Sequence, residues 1–596
     1  MIDLPVLNSN RPPAPLSGPA LVARLLAEQQ AMSAVEEFSR WHEADGTGGK
    51  ERGREPFATG EFALGGTPPV AKGSRPRDHH YRSLLPATPP GPGEQYAFEV
   101  DLDRCSGCKA CVVACHTLNG LDETETWRDV GLMVGGSTTA PVMQHVTTAC
   151  HHCLEPACMI ACPVNAYEKD AVTGIVKHLD DQCFGCQYCT LACPYEVPKY
   201  HAGLGIVRKC DMCSSRLAVG EAPACVQSCP HEAIVIRTVN RRQVVEDAET
   251  TAFLPATPDP QITLPTTSFK TKKPFPRNLL PADYSRVSAQ HAHWPLVVML
   301  VLTQLSVGAF CVGLALDALV QLPSGTSLRP VHAVAALGFG LLALGSSLLH
   351  LGRPQYAFRA VLGLRHSWLS REIVAFGLFA GCASAYAAAV YLLGRIDLNL
   401  EPAIEPLGWS VAATGAIAVF CSVMIYVFTQ REYWSFSRVG VRFTLTCALL
   451  GIAAMWLSML AAMIAAPSLQ LTELVAKVSP LLCRALIFTA VVKLMWEAAI
   501  FRHLLFRRMT PLRRSAMLHT GELSRVTLAR FALGILGGVL MPLFILNKTA
   551  EAGDVAGAEF VGAASLLFAA CLAGELLERY LFFTACAAPR MPGGIR

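Results

Sequence analysis

At 596 residues the chain has room for several domains, with 52% hydrophobic and 16% charged residues. Its composition breaks near residue 290, from a front part rich in Pro, Gly, Cys and charge to a rear part of long Leu, Ala, Val and Phe runs, so no single average describes it. A net charge of +4 is small for this length and does not suggest a nucleic-acid binder.

The first twenty residues carry neither a basic stretch leading into an apolar core nor a twin-arginine pair, which argues against export of the front half. Residues 1–20 read as disordered. Residues 21–43 read as a docking helix, from apolar spacing at Leu21, Leu25, Leu26, Met32, Val35 and Phe38. Residues 44–95 lack periodicity and read as a linker or a strap on a partner, with His79, His80 and Tyr81 on its surface.

An alternating run at 96–101, YAFEVD, predicts a strand, with further short strands at 174–178 and 233–236. Sixteen of the 23 cysteines then follow in four groups: Cys105, Cys108, Cys111, Cys115; Cys150, Cys153, Cys158, Cys162; Cys183, Cys186, Cys189, Cys193; and Cys210, Cys213, Cys225, Cys229. The first and third have the C-x2-C-x2-C-x3-C spacing of bacterial ferredoxins, in which three thiolates hold one cluster and the fourth reaches its neighbour. The last three groups end in Cys-Pro, suiting a ligand on a chain that turns away at once; the first ends Cys115-His116. Disulfides need an oxidising compartment, and zinc ribbons show paired knuckles rather than four-cysteine runs. The pattern therefore points to four [4Fe-4S] clusters in two interlocked pairs, with the pairing left open by spacing alone.

His151, His152 and His231 lie beside ligand positions, but the cysteine count is complete without them. Lys109, Lys177, Lys199, Arg208 and Lys209 are placed to offset cluster charge. Residues 116–149, with Glu125, Trp127 and Arg128, read as an insertion that either faces a catalytic subunit or covers a cluster.

A Pro/Thr-rich connector at 241–290 ends in a basic patch, Lys270, Lys272, Lys273, Arg277 and Arg286. Eight apolar stretches follow near 295–319, 331–350, 373–393, 407–428, 443–466, 481–501, 531–547 and 559–583, each long enough to cross a bilayer as a helix. Alternate loops carry 22 Lys and Arg on one side, including the lead-in, and four on the other. The positive-inside rule puts the first side, and with it the cysteine domain, in the cytoplasm.

Ionisable groups in spans are costly and mark function by default. His350, Glu372, Lys493, Glu497 and Glu575 all fall in the cytoplasmic half, with Lys493 and Glu497 spaced for an ion pair. A quinone needs a proton donor or acceptor at its carbonyls, and His350 with Glu372 supplies one. The spans offer no obvious facing histidine pair for haem.

The motifs CSGCKACVVAC, CHHCLEPACMIACP, CFGCQYCTLACP and CDMC…CVQSCP over 96–240 resemble the four-cluster electron-transfer subunit of dimethyl sulfoxide reductase family molybdopterin oxidoreductases. Residues 291–596 resemble that family's eight-helix anchor subunit, through HWPLVVMLVLTQ, LLHLGRPQYAFRA, SWLSREI and GELLERYLFF. The resemblance implies four ligand sets: Cys105, Cys108, Cys111 with Cys229; Cys210, Cys213, Cys225 with Cys115; Cys150, Cys153, Cys158 with Cys193; and Cys183, Cys186, Cys189 with Cys162. It also implies a quinol site at His350 and Glu372. The expected architecture is an α+β ferredoxin-like domain of tandem units at 96–240 fused, through a linker at 241–290, to an all-α membrane domain of eight transmembrane helices at 291–596. Residues 1–95 lie outside the resemblance.

The best-known members face the periplasm, whereas the charge count here places the clusters in the cytoplasm. That is closer to the related membrane-bound sulfite dehydrogenases. The expected role is a relay between a separate molybdopterin subunit and the quinone pool, in the direction of sulfite oxidation, with no substrate catalysis in this chain. The rivals are a dimethyl sulfoxide reductase, polysulfide reductase or hydrogenase partner on the same wiring, and a membrane redox sensor or scaffold.

Overall fold

The computed structural model describes residues 81–593 apart from 251–252, 321–327, 394, 396–399, 466–468 and 553–557. The helix expected at 21–43 and most of the strap lie outside these. Tyr81, expected at the surface, is instead 3% exposed and packs with Leu84 and Leu85 into a core that includes Phe98 and Ile236.

Ten short strands build the cysteine domain: β1 (Glu94–Asp101), β2 (Asp129–Gly136), β3 (Pro141–Thr148), β4 (Tyr167–Lys169), β5 (Val176–His178), β6 (Lys199–His201), β7 (Ile206–Arg208), β8 (Ile234–Asn240), β9 (Ser268–Lys270) and β10 (Leu280–Pro281). β1 runs into Cys105 and β8 runs out of Cys229, and the two pair antiparallel with Val100 opposite Ile234. This register sets the first and last cysteine groups side by side. The β4–β5 hairpin, Tyr167 opposite His178, does the same for Cys162 and Cys183.

The stretch expected to be a linker at 241–290 is part of this domain. A helix, Arg241–Thr250, follows β8; β9 then adds in parallel to β1, and β10 adds antiparallel to β2. Its apolar residues, Phe253, Leu254, Phe269 and Leu279, fill a core with Val100, Leu102 and Met133. Proline and threonine there serve edge strands and turns rather than a free tether.

Eight helices long and apolar enough to cross a membrane follow: Trp294–Leu319, Leu328–Leu348, Trp368–Leu392, Glu401–Val427, Phe436–Ala465, Leu471–Leu505, Ser524–Thr549 and Phe560–Thr584, spans 1 to 8. Hydrocarbon leaves backbone groups no partner but each other, so apolar runs of this length become helices. Spans 1 and 5 cross where Gly308 and Gly451 let the backbones touch; a Cβ on Gly308 would stand 1.9 Å from the Cys447 carbonyl oxygen.

Several spans start earlier than hydropathy alone gives, because buried arginines sit inside them. Arg442, Arg530 and Arg579, counted above as loop residues, are 6%, 2% and 0% exposed. Lys493 lies 3.3 Å from both Glu497 and Glu575, so the anticipated pair exists within a larger network. Arg530 reaches Glu497 at 2.8 Å and Glu575 at 2.9 Å, and Thr446 donates to Glu575 at 2.7 Å. Arg442 and Arg579 flank Glu578. Four cations and three carboxylates from spans 5 to 8 thus gather in one network that offsets all but one of the charges, where lipid could not. Setting the three arginines aside leaves 19 positive residues against four, and the bias keeps its sign.

The two parts share a core. Ala161, Tyr188 and Ala192 of the cysteine domain pack with Val297, Tyr426, Trp434 and Phe582 of the membrane part. Tyr188 donates to the Ile425 carbonyl at 2.9 Å, Ser367 to Ala161 at 2.6 Å, and Arg353 to Leu204 and Asp180 at 3.1 and 3.0 Å. At the centre of the seam Gly185, Gly205 and Gly352 meet backbone to backbone, where a Cβ on Gly352 would lie 2.1 Å from the Gly205 oxygen.

Two outcomes are expected. Gly352→Ala should wedge the seam open, read as faster proteolysis or hydrogen exchange across 199–208 and 350–366, with unchanged exchange contradicting this contact. Arg530→Ala leaves two buried carboxylates short of a partner and should cost about 3–5 kcal/mol, read as a lowered thermal midpoint in detergent.

Candidate iron-sulfur relay and quinone cavity

The cysteine loops share a backbone device. The second residue after the first cysteine of each group has a positive φ: 74° at Gly107, 41° at His152, 73° at Gly185 and 61° at Met212. This left-handed step curls the chain around the space the sulfurs face. After the Cys-Pro pairs, Asn165, Glu196 and Glu232 are also left-handed, at 55°, 53° and 47°. The turn they make brings an amide back onto the cysteine four positions earlier: Ala166 N donates to Cys162 Sγ and Ala233 N to Cys229 Sγ, both at 3.2 Å. Proline at the second place presets that turn.

Sulfurs from different sequence groups lie close enough to feel one another's charge. Cys105 faces Cys108, Cys111 and Cys229. Cys115 faces Cys213 and Cys225, and Cys210 faces Cys115 and Cys213. Cys158 faces Cys150, Cys153 and Cys193, and Cys189 faces Cys162, Cys183 and Cys186. Among the described residues no three His, Cys, Asp or Glu side chains converge as ligands of one ion would.

The sets form a line. Cys111 neighbours Cys225, Cys210 neighbours Cys150, and Tyr167 stands between Cys158 and Cys189. Burial pushes several thiols up, Cys115 to about 12 and Cys162 and Cys193 to about 11, so these hold protons that metal binding must displace, whereas at Cys183 burial is outweighed by the neighbouring His178 and the thiol is shifted down.

Two buried cations lie among the sulfurs. Lys209, 3% exposed, sits 3.7 Å from Cys150 Sγ and donates to the Cys210 and Val176 carbonyls. Burial pulls its ammonium down, and the sulfurs of Cys150, Cys158 and Cys210 more than reverse that. Arg128, 2% exposed, donates to Thr147 at 3.1 Å, stacks 4.6 Å from the Phe98 centroid, and leaves Nε and Nη2 without partners beside Cys111, Cys115, Cys210 and Cys225. Orphaned guanidinium nitrogens there fit a group that carries negative charge. Glu125 is 1% exposed and paired to Arg208 at 2.9 Å, so this part of the insertion covers the sulfurs rather than forming an open surface. His151 and His152 are buried and neutral, burial driving His151 to about 3. His152 Nδ1 accepts from Val176 N at 3.1 Å.

The set holding Cys186 lies at the membrane seam. A cavity of about 560 Å³ opens there, lined by Cys186, Lys199 and Tyr200 on one side and by His291, His293, Leu296, His350, Arg431, Trp434 and Phe583 on the other. His350 Nδ1 is buried without a hydrogen-bond partner, and burial holds the imidazole below its usual pKa. Glu372 is not on this wall. It is 4% exposed, accepts from Ser422 on span 4, and neighbours Tyr188 and Tyr426. The structure thus brings His350 to the cavity and sets Glu372 behind it. His291, His293 and Arg431 did not stand out in the sequence; the histidines just ahead of span 1 were the available signal.

Comparison with known proteins agrees with this division. The 4Fe-4S dicluster domain matches residues 141–239, and the DMSO reductase anchor subunit matches residues 288–584. A subunit of the anaerobic dimethyl sulfoxide reductase of Haemophilus influenzae is 37% identical over 150 residues, 24% of this chain and 73% of that protein. Its counterpart in Escherichia coli K12 is 37% identical over 148 residues, 24% of this chain and 72% of its own. A thiosulfate reductase electron transfer subunit of Salmonella typhi is 35% identical over 153 residues, 25% of this chain and 79% of its own.

Removing a cation beside a group that gains an electron disfavours the reduced form. Lys209→Met is therefore expected to lower the potential of an adjacent cluster by roughly 50–100 mV, as a Coulomb interaction of about 2 kcal/mol implies. A redox titration followed by electron paramagnetic resonance reads this; an unchanged or raised potential would contradict it.

Proposed function

Because the chain belongs to the dimethyl sulfoxide reductase family, as an iron-sulfur electron-transfer subunit joined to a membrane anchor subunit, we propose that it links a molybdopterin-containing catalytic subunit to the quinone pool through four [4Fe-4S] clusters. The four sulfur sets described above are the proposed ligands, in the line that starts at Cys105 and ends at Cys186. When bound, such clusters supply one-electron transfer at thiolate-held iron.

The observation that carries this reading is one cavity lined by both Cys186 and His350. Leu296, Trp434 and Phe583 offer an apolar face for a ring, and Arg431 and Lys199 offer positive charge near a reduced oxygen. His350, with a free ring nitrogen, holds or gives the proton at a quinone carbonyl. Glu372, one layer back, tunes the seam through Ser422 and Tyr188.

The bias of positive residues supports a cytoplasmic membrane location with the cysteine domain on the cytoplasmic side. That placement favours a cytoplasmic catalytic partner and electron flow toward quinone, with sulfite as the preferred reductant. The relatives' names keep dimethyl sulfoxide and thiosulfate reduction as the second reading. With protons and electrons meeting on one side, turnover should build little membrane potential.

His350→Ala is expected to cut quinone-linked turnover by about 10²-fold or more, while turnover of the catalytic subunit with a soluble dye is kept. Glu372→Gln should have a smaller effect. Unchanged quinone-linked rates in His350→Ala would contradict the proposal.

A further inference from the structure

The chain enters span 1 through Gln290, His291, Ala292 and His293, all beside the cavity just described. The rings of His291 and His293 meet edge to face, their centroids 4.9 Å apart and their planes at 86°. Both line the cavity with His350. The three differ in depth. His291 is exposed, His293 is half-buried, and His350 has its Nδ1 sealed from solvent. They also feel one another's charge: His291 acts on His293, and His293 on His350.

A neutral imidazole accepts a proton on one nitrogen and releases one from the other, so it can pass protons in either direction. Burial, reinforced by the neighbouring ring, holds His293 below its usual pKa and leaves it neutral near pH 7. The other ionisable groups on the wall are Cys186, Glu196, Lys199 and Tyr200 from the cysteine domain and Arg431 from the loop after span 4. Cys186 is a proposed ligand. Lys199 and Arg431 are cations that would hold rather than pass a proton, and Arg431 donates to the Leu191 carbonyl at 3.2 Å. Glu196 and Tyr200 stand on the cysteine-domain side of the cavity, across from His350. Only the histidines form a graded series from water to the interior.

We propose that His291 and His293 are the proton entry of the cavity, carrying protons between the aqueous face and His350. This rests on reading the cavity as the quinone site. Reducing a quinone takes two electrons, from iron-sulfur clusters, and two protons, which form the two O–H bonds of the quinol; oxidising a quinol returns both through the same residues. His350 works at the carbonyl, and His293 reprotonates or deprotonates it between turnovers.

The test uses the purified complex with its catalytic subunit, its clusters reduced beforehand, and decylubiquinone as the probe. Oxidation of the clusters is followed by their visible absorbance after rapid mixing across a range of pH. His293→Gln is expected to slow this oxidation about tenfold or more, to flatten its pH dependence, and to recover when imidazole is added to the buffer. His291→Gln should show the same pattern more weakly. Oxidation by ferricyanide should be unchanged in both, which establishes intact clusters.

A second readout needs no turnover. Diethyl pyrocarbonate, with its adducts mapped by peptide mass spectrometry, should label His291 freely and His293 more slowly, and saturating decylubiquinone should protect His293. A wild-type rate and pH profile in His293→Gln, or labelling of His293 that quinone does not alter, would overturn the relay. His350→Ala separates the two ideas: if its clusters too are oxidised by decylubiquinone at the wild-type rate, the quinone-site reading itself has failed.

Discussion

Backbone contact between Gly185, Gly205 and Gly352 is the constraint on which the rest depends. Electron transfer falls steeply with distance, so a soluble relay must press its last redox group against the membrane part with nothing wasted between. Side chains would separate the two surfaces by their own thickness. Glycines remove that layer, and the surrounding carbonyls, at Leu204, Asp180 and Ala161, are then met by Arg353 and Ser367 from the membrane side. One consequence is that Cys186 and His350 can share a cavity.

A second constraint is charge. Thiolate-held clusters are anionic, and burying them costs energy unless cations lie close. Lys209 and Arg128 answer this inside the cysteine domain, each nearly sealed from water. In the membrane part the same physics appears among spans 5 to 8, where Arg442, Lys493, Arg530 and Arg579 meet Glu497, Glu575 and Glu578. In both places opposite charges lie close, while His350 brings to the cavity a sealed Nδ1 without a hydrogen-bond partner.

Much of this was legible in the chain because the chemistry is local. The resemblance implied four sulfur sets, and for the set joining the first and last groups the β1–β8 register supplies a physical reason, since the strands beside Cys105 and Cys229 pair. Eight spans were visible because hydrocarbon permits little besides helices. What hydropathy could not separate was a loop arginine from a buried one; Arg442, Arg530 and Arg579 look alike until their carboxylates on other spans are in place. The 241–290 stretch misled for a similar reason, its strands being two or three residues long and held by partners far away in sequence. Arg128 and the cavity histidines depend on contacts across the fold, and Glu372, inside span 3, turns to Ser422 on span 4 whereas His350, in the turn after span 2, reaches the cavity.

Electrical continuity between the sulfur-lined domain and a carrier at the membrane seam is the central claim. Mixing this chain, free of its catalytic partner and with its clusters reduced beforehand, with decylubiquinone and recording its low-temperature electron paramagnetic resonance after a fixed short time tests it most directly. Loss of the reduced [4Fe-4S] signals is expected, slowed about 10²-fold in His350→Ala and unimpaired in that variant with ferricyanide. Reduced clusters that persist with decylubiquinone in the unaltered chain, yet are oxidised fully by ferricyanide, would contradict it.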